Sequence, residues 1–152
     1  MSFITVPQVR PPSGVYAYIS TPAGTTCTLA DTYYFLEGTF TNEVLEQWEI
    51  TPPLTYKGGC TCKFEVQANA SVSSDTANNL LTLAFFKNGV LQANSEMSVY
   101  IKNTSELYTI PTVDVIEFEP DDNVEIRVKA SQAGSVITAE KFTTSLHEFF
   151  NK

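Results

Sequence analysis

The sequence carries a single histidine, His147, so general acid–base chemistry near neutral pH would fall to it or to a carboxylate with a displaced pKa. Ser145 lies two positions away, and in an extended strand the two side chains share a face roughly 7 Å apart. A serine nucleophile needs the imidazole within hydrogen-bond reach and a carboxylate on the other ring nitrogen. No Gly-X-Ser-X-Gly elbow is present to expose such a serine. These residues predict no catalytic centre and a protein that is not an enzyme. Glu117, Glu119, Asp121, Asp122 and Glu125 crowd carboxylates at one turn, and hard oxygen donors of that kind suit Ca²⁺. Their spacing does not match an EF-hand loop, so Glu119, Asp121 and Asp122 stand as a weak metal candidate and no cofactor is expected. Cys60 and Cys62 are metal ligands by type, yet no second Cys or His pair lies nearby to complete a tetrahedral set. Both fall on the apolar face of an alternating run, which reads as core packing. The seven glycines are dispersed, only Gly58 and Gly59 being adjacent, so no phosphate-cradling loop exists.

These residues must be positioned by strands. Charged residues are only 17% of the chain, well under the roughly 25% usual for a globular domain, while aromatics reach 12% and Thr and Ser abound. Short period-two runs separated by Gly, Pro, Asn and Asp clusters begin at Val15. From Cys60 to Val72, apolar Cys60, Cys62, Phe64, Val66, Ala68, Ala70 and Val72 alternate with polar partners, which predicts a strand with one core face and one wet face. Leu80–Phe86 and Val90–Ala93 flank Lys87-Asn88-Gly89, and Asn-Gly between apolar runs predicts a tight hairpin because both residues tolerate positive φ. Val113–Phe118 and Val124–Ala130 flank an acidic turn and predict a second antiparallel hairpin. A closing strand runs from about Lys141 to Phe150, paired inside a sheet so that the apolar end is not left bare. The one helix candidate is Asn42–Trp48. Counting all runs gives about eight to ten strands, and therefore an all-β jelly-roll sandwich.

The length of 152 residues fits one domain. Pro7, Pro11 and Pro12 favour extended backbone at the start, so residues 1–13 are read as an extended N-terminal arm and 14–152 as the single jelly-roll domain. Seventeen acids against nine bases give a net charge of −8, which repels phosphate backbones and anionic bilayers; neither nucleic acid nor membrane is an expected partner. The start MSFITVPQVRPPSG has no basic segment followed by an apolar run, which predicts synthesis in a cytoplasm without export.

The stretch Leu80–Gly89, LLTLAFFKNG, resembles the strand ending in Lys-Asn-Gly or Arg-Asn-Gly of tumour necrosis factor-like and complement-type globular heads. Ile116–Val128, IEFEPDDNVEIRV, stands where those heads place a Gly-Asp turn between strands, and Phe142–Phe150 stands in the place of their closing strand. The resemblance spans roughly Lys57 to Phe150, with Pro-Asp-Asp-Asn replacing the usual turn. It implies a ten-strand jelly roll that assembles as a compact trimer with aromatic side chains along the three-fold axis. Heads similar to these occur among phage virion components, both capsid decoration trimers and tail-fibre heads.

The expected function is therefore structural: a homotrimeric capsid decoration (cement) protein on the virion surface. Its partners are other copies of itself and the major capsid protein, which it clamps through its base and an arm bearing Phe3, Ile4, Val6, Val9 and Arg10. Candidate trimer-interface residues are Tyr16, Tyr18, Leu83, Phe85, Phe149 and Phe150. The alternative is a tail-fibre receptor-binding head that recognises host saccharide through Trp48, Tyr56 and Tyr100, because exposed aromatic rings stack on sugars. A fibre tip normally follows a long shaft, whereas the first strand here opens within about fifteen residues of Met1; that favours decoration.

Overall fold

The computed structural model describes residues 13–50 and 53–149; residues 1–12 of the proposed arm and Phe150 lie outside them. Thirteen strands follow in chain order: β1 Gly14–Pro22, β2 Gly24–Cys27, β3 Tyr34–Phe35, β4 Gly38–Glu46, β5 Trp48–Glu49, β6 Leu54–Tyr56, β7 Cys62–Ser74, β8 Asn79–Lys87, β9 Val90–Leu91, β10 Met97–Ile101, β11 Tyr108–Phe118, β12 Asn123–Ala130 and β13 Ser135–Glu148. A six-stranded sheet runs β11-β7-β13-β1-β4 with β2 beside β13, and a seven-stranded sheet runs β10-β8-β12-β6-β5 with β3 beside β12 and β9 beside β8. The two sheets pack face to face as a jelly-roll sandwich, and every pairing is antiparallel.

The alternation predicted for β7 holds through its length. Phe64, Val66, Ala68, Ala70 and Val72 are buried between the sheets, and their odd-numbered neighbours face out. The Lys-Asn-Gly hairpin forms as predicted between β8 and β9, with Asn88 and Gly89 both at positive φ. The closing strand is central to its sheet, paired with β7 on one side and β1 on the other.

Three expectations are corrected. Asn42–Trp48 is not helical but forms the end of β4 and the start of β5, broken at Gln47, whose φ is +62°. The second hairpin does not form: β11 pairs only with β7 in one sheet, while β12 pairs with β8, β6 and β3 in the other. The acidic turn between them therefore carries the chain across the sandwich. Cys60 lies before β7, half-buried, and only Cys62 enters the core.

The crossing turn is held by its own acids. Asp122 accepts the Glu119 N–H and an Asn88 side-chain N–H, each at 2.8 Å, and its Oδ2 is 3.5 Å from Lys87 Nζ. Asp121, at φ +72°, turns the other way, to Lys57 Nζ at 2.8 Å. Its backbone N–H donates to the Tyr56 carbonyl, and the Tyr56 N–H donates to the Asp122 carbonyl, which splices the turn onto β6. Burial pushes the Asp122 pKa up, but the bonds from Asn88 and Glu119 and the Lys87 charge outweigh it, leaving the carboxyl below its usual 3.8. A group held below its unfolded pKa contributes stability above that value and loses it as pH falls through the folded one. Asp122→Ala should thus cost about 1–3 kcal/mol at neutral pH in urea unfolding, as charged hydrogen bonds do. The gap between variant and wild type should close as pH drops below 3.8; a gap independent of pH would refute this account of the turn.

Candidate functional site: the outward face of the six-stranded sheet

Register across the six-stranded sheet places residues in transverse rows. One row runs Pro111, Asn69, Thr143, Tyr18, Thr41, and the next Val113, Gln67, Ser145, Tyr16, Val44, from β11 to β4. Neither row contains a charged residue. The flanking rows do: Lys141 lies opposite Ser71 on one side, and Glu65, His147 and Glu46 align with Val115 and Gly14 on the other. In a chain with 17 acidic and 9 basic residues, an uncharged band across five strands is a local departure from the surface average. Val113, Val115, Val44 and Tyr16 are exposed on this face, Val113 at 54%. A shallow depression of about 660 Å³ lies there, bordered by Tyr16, Gln67, Asn69, Val113 and Thr143, with Glu65 and, from β10, Met97 also on its border.

The side chains are outward because the inward ones fill the sandwich. Val15, Ala17 and Ile19 of β1 and Thr144 and Leu146 of β13 are buried, so strand alternation sends Tyr16, Tyr18, Thr143 and Ser145 to the other face. Strand β11 is apolar on both faces: Ile110, Ile116 and Phe118 are buried, while Pro111, Val113 and Val115 stand outside. Exposed Val113 and Val115 on the outward side of a strand whose other side is packed into the core mark a surface suited to being covered. Val113, Val115, Val44 and Gln67 were not among the sequence candidates, and the double-faced pattern of β11 is the signal that could have found them.

Of the interface candidates, Tyr16 and Tyr18 lie in the uncharged rows, and Phe149 is exposed just past the end of β13, its N–H donating to the Lys63 carbonyl at 2.8 Å. Leu83 and Phe85 are corrected: both point between the sheets and are fully buried, so no second copy can touch them. Phe3, Ile4, Val6, Val9, Arg10 and Phe150 lie outside the described residues. Two of the three ligand-facing candidates are corrected too. Trp48 and Tyr56 are buried and pack with Phe64 and Phe118 at ring separations of 5.1–5.7 Å. Burying the tyrosine is cheap because its hydroxyl donates to the Cys60 carbonyl at 2.9 Å. Tyr100 alone is exposed, at the far side of the other sheet, donating to Asn78 Oδ1.

The outward face of the seven-stranded sheet differs in kind. Arg127 lies between the Phe35 and Phe86 rings at 4.7 and 4.3 Å and is paired with Glu125. Lys129 sits 4.8 Å from the Tyr33 ring and 3.5 Å from Glu96, to which the Tyr33 hydroxyl donates at 2.6 Å. Burial, then the Glu96 contact, push the Tyr33 pKa well up. Arg127 and Lys129 are thus each matched to a carboxylate within the chain. Between the sheets a cavity of about 300 Å³ is walled by Phe35, Leu36, Phe40, Leu54 and Phe85, with Glu37 and Glu125 as its only acids; Glu125 is committed to Arg127. Glu119, Asp121 and Asp122 do not converge, since each aspartate is engaged by a different lysine. No cluster of three or more candidate metal ligands exists among the described residues.

No protein-family model matches the sequence, and no curated protein matches it either. Solved structures share the architecture. Eiger TNF from S. frugiperda is similar with a TM-score of 0.63 at 10% identity, over 94% of this chain and 96% of that one. Murine APRIL gives 0.59 at 6% identity over 89% and 99%. The globular domain of zebrafish complement 1qA protein gives 0.56 at 9% identity over 92% and 99%. The fold is that of the tumour necrosis factor-like jelly-roll heads. At these identities the likeness speaks for the backbone and not for activity. No helix among the described residues of this TNF-like head is long and apolar enough to cross a membrane. Its core and its surface aromatics are distinguishable by unfolding: Trp48→Ala should cost about 3–5 kcal/mol, whereas Tyr100→Ala should stay within roughly 0.5 kcal/mol. Equal effects in urea melts would overturn the division drawn here.

Proposed function

We propose that this chain is a non-enzymatic virion structural protein, a homotrimeric phage capsid decoration protein located on the capsid surface. The observation that carries the reading is the uncharged band of the six-stranded sheet, set in a TNF-like fold and a strongly acidic chain. Interfaces are depleted in charge at their centre and enriched in aromatic anchors, and Tyr16 and Tyr18 sit inside that band. In the proposed assembly three copies meet through this face. The trimer base and the N-terminal arm, with Phe3, Ile4, Val6, Val9 and Arg10, clamp neighbouring copies of the major capsid protein. Simultaneous engagement raises avidity through effective concentration without any strong single contact. The virion setting is supported by the resemblance of Leu80–Gly89 and Ile116–Val128 to tumour necrosis factor-like and complement-type heads, a class that also occurs among phage virion components. A saccharide-binding fibre head has less support, because Trp48 and Tyr56 belong to the core.

Light scattering on the purified chain should give about 50 kDa, the mass of a three-fold closed assembly of 16.8 kDa chains. Val113→Lys should return the mass to that of one chain, because three like charges would meet in an apolar centre. The trimer should co-sediment with capsids stripped of it and raise their resistance to heat, and His147→Ala should leave both properties unchanged. A wild-type monomer overturns the assembly. A trimer that ignores capsids and retains host glycans overturns the decoration role in favour of receptor recognition.

A further inference from the structure

Cys60 and Cys62 are separated by one residue, and their sulfurs lie 3.2 Å apart. That proximity is imposed by the segment before β7. At Gly58 the chain passes so close to Tyr56 that a Cβ would sit 2.0 Å from the ring hydroxyl, and that hydroxyl holds the Cys60 carbonyl at 2.9 Å. The backbone is thereby folded back so that the Cys60 side chain lies over Cys62. We propose that this pair is a reversible thiol–disulfide site, closed by a small-molecule disulfide of the glutathione type and reopened by the corresponding thiol. It is independent of the assembly proposed above.

The sulfur of Cys60, the more accessible of the two, attacks one sulfur of the small disulfide, forming a mixed disulfide and releasing one small thiol. Cys62 then attacks the Cys60 sulfur, forms the intrachain S–S bond and releases the second thiol. The two cysteines lose two electrons and two protons; the small disulfide gains both. Cys62 is only 6% exposed, which keeps it from the external reagent but not from a neighbour already in contact. The Tyr56 hydroxyl, held on the Cys60 carbonyl at 2.9 Å, also lies 3.3 Å from the Cys62 sulfur and so fixes both cysteines against the same ring. Closing from 3.2 Å to a bond of about 2.05 Å needs an approach of roughly 1 Å. Gly59 has open space around its Cα, so the loop can tighten there. Two cysteines separated by one residue close a small ring, and a bond made under such restraint is readily reduced.

Cys27 supplies an internal control. It is wholly buried, and burial pushes its thiol up to about 11, so it should not react. Reduced full-length protein is exposed to oxidised glutathione, unfolded, and its thiols counted. The unreduced mass is then read and the link mapped by proteolysis. Wild type should lose two of its three thiols, drop by about 2 Da relative to the reduced chain, and show a Cys60–Cys62 link that dithiothreitol reverses. Cys27→Ser should close identically, and Cys62→Ser should stop at a glutathione adduct on Cys60. Three surviving thiols, a stable adduct on wild-type Cys60, or a covalent dimer would each overturn the proposal. The wild-type map decides alone should a variant fail to fold.

Discussion

The arrangement depends above all on the register of β13 against β7 and β1. A strand's side chains alternate with period two, so one inserted residue exchanges its faces. Strand β13 uses this. Ser135, Ile137 and Ala139 point inward from its first half, and Phe142, Leu146 and Thr144 from its second; the parity changes at Glu140, where the pairing with β7 shifts between Ala139 and Lys141. Without that bulge, Thr143, Ser145 and His147 would point into the sandwich and the outward band would lose its centre. Bulges commonly re-aim side chains in this way. A second irregularity, between Tyr16 and Ala17 opposite β4, sets Glu43 apart from the ladder and brings Val44 level with Tyr16. Two one-residue insertions thus compose the uncharged rows.

The ends of the sandwich keep that register in place by different means. At one end Asn79, fully buried, donates to Ser135 and Ser74 and accepts from Ser131 and the Gln132 N–H, so all its polar capacity is met. It ties β8 to the start of β13, and a satisfied buried network of this kind specifies one alignment. At the other end Trp48, Tyr56, Phe64 and Phe118 pack edge to face across both sheets, directly behind the turn where β11 crosses over.

What the sequence made legible was whatever local chemistry decides. The alternation of β7 and the Asn88-Gly89 turn each follow from a few adjacent residues. The acidic turn was misread because Pro-Asp-Asp-Asn is compatible with a hairpin and with a crossing alike. The choice rests on which neighbours have free edges, β7 for one strand and β8 for the other, and those lie more than thirty residues away. Leu83 and Phe85 share a face by alternation, but alternation alone does not say which face is outward, and in β8 neither is: Ala84 and Phe86 are buried as well, since Tyr33 covers Phe86 at a ring separation of 5.0 Å. Tyr56 carries the pattern of an interface residue, but its hydroxyl meets the Cys60 carbonyl inside the fold, a partner the sequence does not reveal. The band was half legible: Tyr16 and Tyr18 share a face by alternation, but their neighbours come from four other strands.

The same register bears on how copies can meet. Strand β11 is an edge, and an edge invites pairing unless something opposes it. Pro111 removes a donor there, and Asp114 stands on the side that otherwise faces the core, its carboxylate accepting the Val115 N–H at 2.8 Å. At the other edge, β4 is bent by its bulges and bears Glu43 and Glu46. Edge-to-edge growth, which would be open-ended, is opposed on both sides, while the two central rows of the face between them carry no charge. Contact through a face can close on itself by symmetry, as edge addition in a flat ribbon cannot. Each chain also carries a net charge of −8, so copies repel at long range, with screening over about 8 Å at physiological salt. In the proposed assembly the attraction would come from short-range burial of Tyr16, Val44, Val113 and Val115, with Glu65 and Glu46 at the rim where water still reaches them. Added salt should favour such a contact by screening the repulsion, opposite in sign to an interface built on complementary charges.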